Sequence, residues 1–221
     1  MRDGHAYPFS LLVFLLLCTV LLGAGCGPKI YTNPEFAAAK DRHHIVAILP
    51  FEVSIGDGKA TKNMTEETLE KLEKDEAYQF QQVLYSEFLE RQEKKQYSIK
   101  FLDVEETNTL LNRAEISYEK LGNYTKRELG AILGVDALIT GSINRTQPMS
   151  ATSAIVVGVL FGYMGSTNKV SVTANIYDAA LGELMWKYNH EASGTVGSSS
   201  EGLAKSLMKG ISKKFPYKIK E

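Results

Sequence analysis

Few residues in this chain are of a type and spacing that could do chemistry, and the thiol of Cys26 is the first of them. It follows an apolar run at 9–22 and the small residues Gly23, Ala24 and Gly25. Small residues let an extended chain enter a peptidase cleft, so a cut before Cys26 would leave its sulfur at a new amino terminus. The other cysteine, Cys18, lies inside the apolar run and would be discarded. An exported protein left with one cysteine cannot close an internal disulfide, so the sulfur of Cys26 stays free for another use. The remaining candidates are weaker. "GDGKAT" at 56–61 lacks the glycine spacing of a phosphate loop and reads as a turn. His43 and His44 are adjacent, so on a strand they point to opposite faces and make a poor metal pair. They are expected to be solvated before a strand, and His190 is expected at the rim where a later strand ends. No G-x-S-x-G stretch and no spare cysteine nucleophile is present. No cofactor, metal or catalytic residue is therefore expected.

The amino-terminal segment sets where such a thiol would work. A run at 9–22 is shorter than the roughly 20 residues a bilayer-spanning helix needs, and it suits the apolar region of a secretory signal. "LGAGC" at 22–26 resembles the lipobox of bacterial lipoproteins, in which the cysteine is diacylated and becomes the first residue of the mature chain. That resemblance implies residues 1–25 as signal peptide and a membrane anchor at Cys26. Gly27 stands where inner-membrane retention is associated with aspartate. The implied address is therefore the outer membrane, facing the periplasm.

The elements that follow must position whatever the protein uses. The chain has 221 residues, a net charge of −1 and 44% hydrophobic content, enough for one domain with a real core and without the basic excess of a nucleic-acid binder. Residues 26–43 hold two prolines and no periodicity, and read as a lipidated tether ahead of a single globular domain at 44–221. "HIVAILPFEV" at 44–53 suits a doubly covered strand. A long helix is expected from 65 to 96, with Asn63 and Glu66 at capping-box spacing and Phe80, Leu84 and Phe88 toward the sheet. Strand 97–102, a short helix capped by Asp103 and Glu106, and a helix with Thr125 and Glu128 as capping box and Gly134 beyond its end come next. Strands at 135–145 and 169–178 follow. In the strand at 183–192, Leu184, Trp186 and Tyr188 share a face opposite Lys187 and Asn189. Ser198 and Glu201 cap a final helix bearing Leu203, Leu207, Ile211 and Phe215, stopped at Pro216. The expected fold is an α/β (α+β) sandwich: a mixed sheet of about five strands, an antiparallel C-terminal meander, a long helix and a C-terminal helix.

"HIVAILPFE", "LGVDALITGSI" and "VSVTANIYDAALGELMWK" together resemble the superfamily that contains the TolB N-terminal domain, LpoB and the curli secretion lipoprotein CsgG. These motifs are scaffold, with Gly134 and Gly182 making turns and Trp186 filling the core. They speak for the fold more than for an activity. One segment has no place in that scaffold. An apolar insertion at 148–168 carries Ser150, Ala154, Gly158, Gly162 and Ser166 at four-residue spacing, beside Leu160 and Phe161. On a helix this makes a small-residue stripe. It could lie on its own sheet, meet a second copy or an envelope partner, or enter a membrane. The residues favour a non-enzymatic binding or assembly factor of the cell envelope, membrane-anchored, with a protein partner or a homo-oligomer and no nucleic acid. The alternatives are a subunit of a curli-type secretion complex and a small-ligand sensor or enzyme. A curli-type pore needs two membrane hairpins per subunit, and the chain offers one insertion that does not alternate.

Overall fold

The computed structural model describes residues 27–56, 61, 64–146, 168–194 and 200–219. Their elements run β1 (Lys29–Thr32), α1 (Phe36–Lys40), β2 (Ile45–Ile48), β3 (Glu52–Ile55), α2 (Glu66–Glu93), β4 (Lys100–Phe101), α3 (Val104–Arg113), a 3-10 turn (Tyr118–Asn123), α4 (Lys126–Leu133), β5 (Ala137–Thr146), β6 (Asn168–Asp178), β7 (Leu184–Gly194) and α5 (Ser200–Lys214). The sheet is mixed and seven-stranded, in the order β1-β7-β6-β5-β2-β4 with β3 also on β5. The α/β sandwich with an antiparallel β5–β6–β7 meander is therefore present, with two strands more than expected.

Both extra strands come from stretches read differently in sequence. Within the stretch 26–43 read as a tether, two segments take regular structure. Lys29–Thr32 pairs antiparallel with β7, and α1 buries Phe36 and Ala39 in the core. The run at 44–53 is two strands, both parallel to β5. Ile48 faces Ile139, but Glu52 faces Ser142, so one extra residue is accommodated between them. The break falls at Pro50, which has no N–H to give the ladder. Beyond the break, two side chains occupy the outer edge of β3: the Val53 N–H donates to the Tyr118 hydroxyl (3.2 Å) and the Ile55 N–H to Glu73 Oε1 (2.8 Å).

Helices α2 and α5 cover one face of the sheet. Ala77, Phe80, Gln81, Leu84, Tyr85 and Phe88 are buried along α2 at helical spacing. Phe88 stacks on Phe101 at 4.8 Å and lies 4.4 Å from Phe215 beyond the end of α5, which ties β4 to both helices. The N-cap of α2 is Thr65, whose hydroxyl accepts from the Thr68 N–H; Asn63 lies outside the described residues. The shorter caps stand as expected: Asp103 accepts from the Glu105 and Glu106 amides, Thr125 and Glu128 form a reciprocal box, and Gly134 is left-handed at φ 66°. Among the described residues, the second face is covered over β2 and β5. There Leu111, Ile116, Leu129 and Leu133 pack on Ala47, Leu49 and Leu138.

Val170, Val172, Ala174 and Ile176 of β6 are fully buried, as their alternation requires. In β7, Trp186 and Tyr188 face the helices and Lys187 faces away, but Met185 is buried too and Leu184 is only half-buried. The ladder slips by one residue opposite Ile176 and Tyr177, which turns Met185 inward. His190 lies within β7 rather than at its end, with its ring edge-on to Tyr188.

Close packing across β5 makes Gly141 the least tolerant of added bulk among the described glycines. A Cβ there would overlap the Phe51 ring and the Thr173 carbonyl oxygen. Because one obstacle is backbone in the sheet centre, Gly141→Ala should destabilise the domain by about 1–3 kcal/mol. Urea unfolding midpoints would measure this, and an unchanged midpoint would show that β5 and β6 can move apart freely.

Candidate functional site

Neither sequence-derived site lies in the described structure: Cys26 and the stripe residues Ala154, Gly158, Leu160, Phe161 and Gly162 are all outside the described residues. The structure instead brings together polar residues that are distant in sequence. His43, expected in solvent, is buried between α1 and β2 with 3% exposure. Its Nε2 lies 3.2 Å from Asp178 Oδ2 and its Nδ1 meets the Tyr217 hydroxyl, whose ring is fully buried.

Protonation follows from the partners. Burial pushes the Tyr217 phenol well above its ordinary value, so its O–H is intact and donates to His43 Nδ1. His43 Nε2–H then donates to an ionised Asp178. Burial also lowers the His43 pKa, although the hydrogen bond and charge of Asp178 oppose that shift. At Asp178, burial works against the charge. The Leu181 N–H, His43 and Arg42 donate to the carboxylate and hold its pKa below the usual aspartate range. This donor order resembles a charge relay, but its terminal hydroxyl is turned inward onto His43. The cluster is a clasp that joins residues before β2, the β6–β7 turn and the C-terminal segment. Nearby, Asp136 Oδ2 accepts from the His44 and Ile45 amides at 2.8 and 2.9 Å and fixes the start of β2. Among the described residues, no group of three His, Cys, Asp or Glu side chains is placed to hold a metal ion.

The accessible polar surface lies on the sheet face away from α2 and α5. Pairing across four strands places Thr140, Asn175, Lys187 and Tyr31 in one row, and Ser142, Thr173, Asn189 and Lys29 in the next. All eight are half-buried or exposed. Where this face meets the 3-10 turn, a groove of about 500 Å³ is lined by Tyr118, Lys126, Asn175, Tyr177 and Ser142, among others. Lys126 opens α4 with its ammonium 5.8 Å from the Tyr177 ring centroid, and burial lowers its pKa. A cation beside an aromatic ring and hydroxyl groups can receive carbonyl or anionic groups of a partner. Period-two alternation in β6 and β7 marks this face in sequence, but the 3-10 turn that walls the groove carries no such signal.

No family model matches the sequence, and no curated protein matches it. Solved structures do show similarity. Lipoprotein GNA1162 from Neisseria meningitidis aligns at 13% identity and TM-score 0.43, covering 77% of this chain and 94% of that one. The PelC dodecamer from Paraburkholderia phytofirmans aligns at 10% identity and TM-score 0.46, covering 88% and 98%. The LpoB C-terminal domain from Salmonella enterica aligns at 8% identity and TM-score 0.37, covering 85% and 100%.

Proposed function

We propose that this protein is a lipid-anchored binding or assembly factor of the bacterial envelope, without a catalytic role, held at Cys26 in the outer membrane and facing the periplasm. The observation that carries this reading is the amino-terminal sequence itself. An apolar run, three small residues and the only cysteine of the remaining chain lead directly into a folded domain that starts at Lys29. The open polar face and its groove supply a surface for a partner. The Ala154, Gly158 and Gly162 stripe, with Leu160 and Phe161, is the proposed contact with an envelope protein or a second copy. Small residues at four-residue spacing allow close backbone approach.

Mass spectrometry of the mature amino terminus, combined with membrane fractionation, tests the anchor. The expected product begins at an acylated Cys26 and partitions with outer membranes, and Cys26→Ala should remain uncleaved or be mislocalised. An unmodified Met1 would overturn the reading. In the same fractions, Gly158→Leu with Gly162→Leu should remain folded and lose its oligomer or co-purifying partner. Wild-type assembly of that double variant would remove the stripe from the proposal.

A further inference from the structure

The distance between anchor and domain determines how the domain sits on the membrane. Only Gly27 and Pro28 separate Cys26 from β1. Three extended residues span at most ~11 Å, whereas a domain of the roughly 160 described residues has a radius of gyration of about 15 Å. A domain attached so closely cannot stand off the bilayer. The strand that begins there is also an outer strand of the sheet, with β7 on one side and no described strand on the other. All four of its residues are exposed, including Ile30 at 44% and Tyr31 at 48%. Ile30 is paired with Tyr188 and Tyr31 with Lys187, so the two large side chains project from opposite faces of the strand. Lys29 and Lys187 flank Tyr31, and both are exposed.

Taking the lipidation of Cys26 proposed above, we propose that the β1 edge, formed by Lys29, Ile30 and Tyr31 with Lys187 beside it, is a membrane-contact surface that lies in the phospholipid headgroup layer. A tyrosine with an apolar ring and polar hydroxyl suits that layer, and isoleucine gains by leaving water. The two lysines are attracted to anionic headgroups. Contact along this edge adds to the acyl chains and fixes the domain's orientation. The opposite edge of the sheet, β4 with the start of α3, is then held about five strand spacings away, roughly 24 Å.

The test uses the full-length lipidated protein reconstituted into phosphatidylethanolamine–phosphatidylglycerol vesicles. Cleavage discards Cys18 and acylation occupies the sulfur of Cys26, so Tyr31→Cys and Glu105→Cys each offer a single free thiol for a fluorophore. Both positions are exposed, and thermal melts confirm that each variant is folded. With headgroup-labelled quencher lipids, the fluorophore at 31 should be quenched several-fold more than the one at 105. Equal quenching at both positions would overturn the proposal. So would a fluorophore at 31 shielded from aqueous iodide but not quenched by lipid, since that would assign the edge to a protein partner. The amino-terminal mass of the same sample separates the two readings: without acyl chains the lipoprotein reading fails, and with them but without quenching at 31 only the contact surface fails.

Discussion

Asp178→Ala should destabilise the domain by about 2–4 kcal/mol, because hydrogen bonds to an ionised group and a buried donor left without its acceptor each cost about 1–3. Asp178 is 2% exposed and accepts from the Leu181 amide at 2.9 Å as well as from His43 and Arg42. Its loss leaves the buried His43 ring without its acceptor, whereas the Leu181 amide, on a residue 53% exposed, can turn to water. Arg42→Ala should cost under about 1 kcal/mol, because that side chain is 56% exposed and the pair is screened on its side. The same clasp sets a pH dependence. The folded His43 pKa is lowered, chiefly by burial, whereas an unfolded histidine titrates near 6.5. Below about pH 6.5 the unfolded chain takes up a proton that the folded chain refuses, so stability falls as the solution is acidified. The depressed Asp178 carboxyl adds a further loss in the same direction, but only below about pH 3.9 as the pH falls toward its folded value. Urea midpoints at pH 7, 6 and 5 should decline for the wild type and decline less for His43→Gln. Parallel profiles for the two would show that His43 is not the titrating group.

Trp186→Ala should cost a similar amount, about 3–5 kcal/mol, for a different reason. Trp186 is 2% exposed, 5.9 Å from the Tyr188 ring and edge-on to Phe215 at 6.3 Å. Truncation opens a cavity between the sheet and the segment closing α5, and neither rigid ring can fill it. Lys187→Glu, one residue along, should change stability by less than about 0.5 kcal/mol. Lys187 is exposed on the other face, and its cross-strand neighbours Asn175 and Tyr31 carry no charge to repel the new one. Thermal unfolding compares the pair directly, and equal losses would contradict the β7 register described above.

Local signals in the sequence were readable where the structure they specify is local. The Thr125–Glu128 box and Gly134 lie within one short helix, and β6 shows its buried face through strict alternation. Pro50 carried the information that 44–53 is broken, but its apolar residues on both sides concealed a strand that continues after a one-residue bulge. β1 was hidden because Lys29–Thr32 has no buried residue and exists only through pairing with a strand near the other end of the chain. His43 was misread for a related reason. Its partners stand 135 and 174 positions away, and nothing next to a histidine announces an acceptor at that distance. Of the candidate surface, the polar rows of β6 and β7 were legible, whereas Lys126 gains its meaning only from Tyr177 in the folded sheet.

The joining of the two chain ends also sets an order of folding. β1 closes on β7, α1 sends Lys40 to the backbone oxygens of Pro216 and Lys218, and His43 meets Tyr217. Each of these contacts spans most of the polypeptide, and such high-contact-order closures are paid for in loop entropy before they return any energy. A chain made amino end first cannot pair β1 until β7 is available, nor close the Lys40 and His43 contacts until residues 216–218 are. The central strands and α2 can collapse earlier, but β1 stays unpaired until β7 is in place. Folding therefore ends on a closing step, in which β1 and α1, early in the chain, are among the last elements to dock.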